Sequence, residues 1–432
     1  MTTLLKNCMV VSPAECLAAA CDLRVADGLI ADRGPALQPA QGDEVVDIAD
    51  RLVVPGFVCA HTHLYSSLSR GMPPPARAPR NFREILGRTW WKLDRALDHD
   101  AIYLSALAGG LEALRCGTTT LVDHHASPEA IAGSLDVIRE ALTEVGIRGV
   151  LSYEVTDRGG VKRRDAGLRE NERFIAACAD TPSFRGLVGA HASFTLSDAS
   201  LERCAELARS AGTGVHIHVA EDRFDVRDAR RRSRAGLLGR LEKSGVCSRK
   251  SILAHCVHLS AEEFRRLEAA GAWVVHNPRS NMNNGVGHAP LHLFPRRSAL
   301  GTDGFPADMF GEARAGFFRA AEEGMGGTGR IAGLITGGWR LASEIFGTPF
   351  GKFEPGSVAD LVVLAYRPPT PLDASNAVAH LLFGPGSSAV ESVMTGGKWV
   401  LWNREVAGMD EEEVARRASK AAALLWKKMR DI

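Results

Sequence analysis

Two histidines, His61 and His63, stand two positions apart at the end of the apolar run LVVPGFVCAHTH (52 to 63). Side chains on a strand alternate with a period of two, so both imidazoles face the same side. A second pair, His216 and His218, repeats the pattern in GVHIHVAED, with Glu221 three residues past His218. One imidazole of this pair is expected to bind metal. His218 is the choice, because its spacing lets Glu221 reach over the open coordination position as a proton carrier. His216, set deeper, is expected to pack or to support a ligand. His255 closes a further run and Asp303 stands in LGTDG. Three neutral imidazoles and one carboxylate suit Zn²⁺, with Fe²⁺ as the alternative, whereas Mg²⁺ and Ca²⁺ want oxygens. Water on such an ion has its pKa pulled from 15.7 toward about 7, which gives a nucleophile at neutral pH.

These residues need a frame that brings distant stretches together, and the chain reads as one. From Leu52 onward a short β-rich apolar run is followed by a helical stretch, eight times over: 52 to 63, 118 to 125, 148 to 156, 186 to 193, 214 to 222, 251 to 259, 272 to 280 and 298 to 305. Segments such as Ala101 to Arg115 and Ser200 to Ala211 carry apolar residues at helical spacing. Near-continuous apolar strands separated by helices imply a parallel sheet with covered faces, and eight repeats close into a (β/α)8 TIM barrel. An open doubly wound sheet is the alternative. The barrel is favoured because ten of the 14 histidines (His61, His63, His124, His125, His191, His216, His218, His255, His258, His276) fall at or near the C-terminal ends of these runs, the rim where barrel chemistry sits.

The flanks read differently. Residues 1–54 and 356–406 alternate apolar and polar over short runs, as small antiparallel strands do. A small β-sandwich domain formed from both chain termini is expected, with the barrel over 55–355 inserted between its halves. Residues 407–432 should end the chain as a surface helix, acidic at its start and basic at its end. MPPPARAPR (72 to 80) predicts a rigid loop near the active face, since a proline run continues neither helix nor central strand.

Composition narrows the partners. Lys+Arg 52 against Asp+Glu 51 leaves a formal charge of +1, with 45% hydrophobic and 24% charged residues. That balance argues against nucleic-acid or membrane binding. The basic RDARRRSR (227 to 234) is read as a solvated helix. Nine cysteines without a CxxC pair fit a reducing compartment. With no export or insertion signal visible, a cytoplasmic location is the expectation.

HxH on the first strand, HxxE on the fifth, His on the sixth and Asp on the eighth resemble the amidohydrolase superfamily. PGFVCAHTH, HNPRSNMNNGVG (276 to 287) and GSVADLVVL (356 to 364) are similar to its deaminase and chlorohydrolase branch. HLYSSLSRGM, DHHASPEAIAGSL, RSNMNN and LGTDGFPADMF most resemble the SsnA-type aminohydrolases. The resemblance implies that His61, His63, His218 and Asp303 bind one metal while Glu221, His255 and Asp303 act on substrate and water. Binuclear relatives bridge two metals with a carboxylated lysine on the fourth strand. Here GLVGAHAS offers His191 and no lysine, so one metal is expected. His191 stands where related deaminases hold the substrate ring, and either a binding or a packing role suits it. The resemblance also implies a homo-oligomer, a dimer or larger.

The reaction expected is hydrolytic removal of ammonia from a small N-heterocycle such as a purine, pyrimidine, pterin or triazine. Asp303 would accept the proton of the attacking water, Glu221 would protonate the adjacent ring nitrogen, and His255 would orient the water. Trp90 and Trp91 either stack on a planar ring or pack in the barrel wall. His124 and His125 close the second strand at the pocket, His276, Asn277 and Asn281 resemble a family segment that shapes the rim, and His125 and Asn281 join His191 and Trp90 as the expected substrate-binding residues. Two alternatives stay open: chloride or cyclic-amide hydrolysis at the same metal, and a non-catalytic scaffold. Glu221 favours deamination, because an amine must be protonated to leave and chloride need not be.

Overall fold

The computed structural model describes residues 2–432. Eight short parallel strand positions follow one another round a barrel. They are Phe57–Thr62, Thr118–His125, Arg148–Tyr153, the pair Phe184–Gly186 and Val188–Ala192, then Val215–Val219, Ile252–His255, Trp273–His276 and Ser298–Leu300. Hydrogen-bonded ladders join the first three and Phe184–Gly186 in one sheet, and Val188–Ala192 and the last four in another. Single parallel bridges, Val155 with Ala190 and Thr62 with Asp303, close the ring. Helices such as His99–Arg115, Ser134–Val145 and Asp198–Ser210 cover the outside. The strands are buried on both faces, as a helix-covered parallel sheet requires. The (β/α)8 reading is therefore correct, with the fourth strand split in two at Leu187.

The run from Leu52 to His63 is two strands, not one. Leu52–Pro55 pairs antiparallel with Leu361–Leu364 in the terminal sheet, and Phe57–Thr62 begins the barrel. Gly56 is the joint. A Cβ there would lie 2.4 Å from the side chain of Thr119, so only glycine lets the chain pass from sheet to barrel at this point.

Both chain ends build the terminal β domain. Its nine hydrogen-bonded strands include Thr2–Ser12, Leu17–Ala26 and Leu29–Gly34 from the front of the chain, and Leu361–Leu364, Val390–Thr395 and Lys398–Trp402 from the back. Its own core gathers Leu5, Val10, Leu23, Val53, Phe353 and Val363. The closing helix, Glu411–Asp431, has the expected charge order: Glu411, Glu412 and Glu413 stand in its first turn and Lys428 and Arg430 in its last. It does more than cover the surface. It packs along His99–Arg115 and Trp91–Ala96, and Trp426 Nε1 donates to the Leu68 carbonyl at 2.9 Å.

No described helix is long and apolar enough to cross a membrane. The stretch 72–80 lies outside regular structure, and the basic run lies largely on the helix Arg223–Arg232.

Candidate metal centre and active site

Barrel closure brings Asp303 to the paired histidines. The His61 carbonyl accepts from the amides of Thr302 (2.9 Å) and Asp303 (3.0 Å), and the His63 amide donates to the Asp303 carbonyl at 3.1 Å. Glycine at 301 permits this approach, because a Cβ there would meet Asn277 Oδ1 at 2.5 Å and His61 Cβ at 2.8 Å. At and just past the strand ends the backbone is strained. Ala220, His255, Cys256 and Asp303 have φ of 49°, 72°, 50° and 54°, a conformation that non-glycine residues adopt at a cost and that concentrates at functional sites.

The donor atoms of His61, His63, His218 and Asp303 all lie within 4.8 Å of one another. The ring tautomers of His63 and His218 are fixed from behind by backbone carbonyls. His63 Nδ1–H donates to the His124 carbonyl at 2.6 Å, and His218 Nδ1–H donates to the His191 carbonyl at 2.8 Å. His61 Nδ1 meets His216 Nε2 at 2.8 Å, and with Nδ1–H as donor this pair too leaves the His61 Nε2 lone pair free. Three bare Nε2 atoms then face one carboxylate oxygen. Asp303 Oδ1 is 2.8 Å from His63 Nε2 and 3.4 Å from His61 Nε2, and the Nε2 atoms of His63 and His218 are 3.1 Å apart. Four acceptors at such distances repel unless a positive charge sits among them. This donor set fits a single divalent cation, and the nitrogen-rich composition matches zinc-type coordination. His216, read as packing or support, supports His61.

Burial keeps most of these rings neutral. It pushes His61 well below its usual range and, with the neighbouring His63, takes His218 to about 3. Burial also pulls His63 down, but the Asp303 carboxylate more than offsets that and lifts it to about 9. Burial raises Asp303, but the adjacent His61 and His63 more than offset it and hold the carboxyl well below the usual carboxylate range. Burial and the adjacent Asp303 charge push Glu221 well above its usual range, which favours the protonated carboxyl.

Residues 52–400 match the amidohydrolase family. The chain belongs to the amidohydrolase family. Among its relatives is a 5'-deoxyadenosine deaminase of Methanothermobacter thermautotrophicus, 30% identical over 411 residues that cover 93% of this chain and 94% of that protein. Another is a 5-methylthioadenosine/S-adenosylhomocysteine deaminase of Desulforudis audaxviator, 30% identical over 422 residues and covering 94% of each. In fold it is similar to a zinc-bound adenosine deaminase from Xanthomonas campestris, with a TM-score of 0.86, 24% identity and coverage of 100% of this chain and 99% of the other. It is also similar to a zinc-complexed atrazine chlorohydrolase from Arthrobacter aurescens, with a TM-score of 0.82, 20% identity and coverage of 97% and 100%.

Above the donor cluster of this amidohydrolase opens a cavity of about 320 Å³, lined by His63, His218, Asp303, Glu221, His191, Trp90 and Trp91 among others. His191 Nδ1 lies 2.7 Å from Thr195 Oγ1, whose own proton goes to the Ala192 carbonyl at 3.1 Å. Nδ1–H is thus the donor, and Nε2 is left as a hydrogen-bond acceptor. Glu221 Oε1 accepts from Asn284 Nδ2 at 3.3 Å, and Glu221 Oε2 lies 3.7 Å from His255 Nε2. His255 Nδ1 is 2.9 Å from Asn281 Oδ1, so Nδ1 donates and the buried Nε2 is bare.

Not every expected residue reaches the cavity. His125 is buried with Nε2 2.9 Å from Ser127 Oγ, and Asn281 lies under His255; neither lines the cavity. His124 spends its Nε2–H on the carbonyls of Ala190 (3.1 Å) and His216 (3.2 Å). His276 and Asn277 are buried away from it. Two residues of the RSNMNN stretch that sequence reasoning did not single out do contribute. The Ser280 hydroxyl donates to Asp303 Oδ2, and Asn284 Nδ2 reaches both Ser280 Oγ and Glu221 at 3.3 Å. Which polar side chains of this stretch turn inward depends on the helix Pro278–Asn283 and its C-cap Asn284.

Proposed function

We propose that this chain is a zinc-dependent aminohydrolase that releases ammonia from an amino-substituted N-heterocycle, with adenosine-type purines the first candidates. The observation that carries the reading is the convergence of three imidazoles and the Asp303 carboxylate beneath a cavity lined by a further buried carboxyl, Glu221. The deaminase relatives supply the substrate class.

A divalent ion held by His61, His63, His218 and Asp303 supplies the Lewis acidity that makes water a nucleophile at neutral pH. Asp303 is the proton acceptor as water attacks the amino-bearing carbon; its low pKa keeps it ionised, and Ser280 holds its other oxygen. Asp303 then passes that proton to the amino group, whose C–N bond breaks as ammonia leaves, while the new hydroxyl gives its proton back to Glu221 and becomes the ring carbonyl. Glu221 delivers a proton to the ring nitrogen beside that carbon, which removes the negative charge that addition would leave there. Burial favours the protonated form of this carboxyl, and Asn284 Nδ2 donates to it and orients it. His255, neutral and bare at Nε2, accepts a hydrogen bond from the attacking water and aims it. His191 offers Nε2 to an N–H on the heterocycle, and Trp90 forms part of the wall against which a flat ring stacks.

The test is ammonia release by the zinc-loaded protein across adenosine, 5'-deoxyadenosine, 5-methylthioadenosine, free purines, pyrimidines, pterins and aminotriazines. Deamination of at least one class is expected. Chloride release from a chlorotriazine without ammonia from any amine would overturn the reading.

A further inference from the structure

The cavity has a roof, and a buried ion pair ties the roof to the barrel. Its lining residues Phe82, Leu86, Trp90, Trp91 and Asp94 come from a single stretch after the proline-rich loop. That stretch runs through the helical turn Phe82–Ile85, a π-helical turn at Leu86–Trp90 and the helix Trp91–Ala96. One π-turn inside a short helix is an irregularity that recurs at functional sites. Asp94 is 2% exposed, and a buried carboxylate needs a partner.

That partner comes from the other side of the cavity. Arg158, beyond the third barrel strand, places one guanidinium nitrogen 3.0 Å from Asp94 Oδ2 and 2.9 Å from Glu154 Oε1. Glu154 stands next to the end of that strand and itself lines the cavity. The guanidinium also lies 4.7 Å from the ring centroid of Trp91, a cation–π distance. Burial pushes the Asp94 carboxyl up to about 7 and raises Glu154 as well, and the Arg158 charge acts against both shifts. The opposite face of the roof leans on the closing helix.

We infer that Arg158 is a positioning residue: bridging Asp94 of the roof to Glu154 of the barrel, and bearing on Trp91, it holds the roof at the height that fits the substrate. It acts through those residues and does not itself line the cavity. The inference rests on the proposed function only in taking this cavity as the place where the heterocycle binds.

The test compares zinc-loaded wild-type protein with Arg158→Met by hydrogen exchange and by steady-state kinetics. Amide exchange across 82–97 should quicken by about tenfold or more, with residues 57–63 and the bound zinc unchanged. KM should rise about tenfold while kcat moves less than about threefold, because the misplaced part is the binding wall and not the reacting groups. Equal exchange in both proteins would overturn the inference, as would a fall in kcat at constant KM. Should Arg158→Met fail to fold, Asp94→Ala leaves the Arg158–Glu154 pair intact and must still quicken exchange in 82–97; unaltered exchange there overturns the inference equally. Exchange needs no substrate, so a wild-type protein that deaminates nothing would refute the proposed function while the roof clamp was still decided.

Discussion

On the floor of the cavity each metal-facing nitrogen is aimed from within the barrel: backbone carbonyls of His124 and His191 turn His63 and His218, and His216 turns His61. In the roof, Asp94 and Trp91 are held by one guanidinium on a loop. The floor rests on strand ends joined by ladders and, between the first and eighth strands, by the Thr62–Asp303 bridge, whereas the roof leans on the closing helix and a cross-cavity ion pair. A metal site needs its donors fixed closely, since coordination distances leave little slack, whereas a substrate wall can be retuned by changing a few loop residues. Rigid floor and adjustable roof are how one barrel serves many substrates.

Breaking the floor should cost most. Asp303→Asn removes a donor and the proton acceptor together, and turnover should fall beyond about 10⁴-fold with loss of bound zinc. Metal analysis and ammonia release check both; full zinc occupancy with near-normal turnover would remove Asp303 from the centre. Glu221→Gln separates chemistry from coordination. Its side chain is absent from the four-donor cluster, so zinc should stay while kcat drops by about 10²–10⁴. A rate close to wild type would strip Glu221 of its proton-carrying role.

Support from behind the donors is worth less. His216→Phe deletes the acceptor for His61 Nδ1–H at the foot of the site, and zinc affinity should weaken by about 10–100-fold, read by competition with a chelator. Unchanged affinity would mean that His61 is held by the strand alone. The roof offers the contrast: Arg158→Met should leave that affinity where it is.

The two regions also differ in how far the sequence discloses them. His61, His63, His218 and Asp303 were legible because strand periodicity puts paired histidines on one face and barrel closure sets the eighth strand beside the first. The partners that fix their tautomers were not, because two of the three are backbone carbonyls, which every residue has. The apolar run from Leu52 to His63 hid a change of sheet at Gly56, whose reason is the nearness of Thr119 in space. Asn281 was singled out for the substrate, yet its amide serves His255, while Ser280 and Asn284 reach the two carboxyls. The roof was least legible, since nothing in WWKLDR announces an arginine 64 positions further on. Pairs made by loops carry no period to read.

The smallest effect, about tenfold per pH unit, follows from the price of gathering bare lone pairs. Without metal, the floor relieves its repulsion with a proton: the Asp303 carboxylate outweighs burial and lifts His63 from an ordinary 6.5 to about 9. Zinc must displace that proton. Its apparent affinity should therefore climb about tenfold for each unit of rising pH below about 9 and level off above, because the ligand binds metal only when deprotonated. Stability of the metal-free protein should run the opposite way. A histidine whose folded pKa is raised contributes stability that is complete below its unfolded value near 6.5 and is lost as pH climbs through about 9. Chelator-buffered zinc titrations and thermal melts of the metal-free protein from pH 6.5 to 9.5 measure the two slopes. Affinity that stayed level over that range would mean no proton is shared on the floor, and with it would go the claim that strand geometry forces the donors together before the metal arrives.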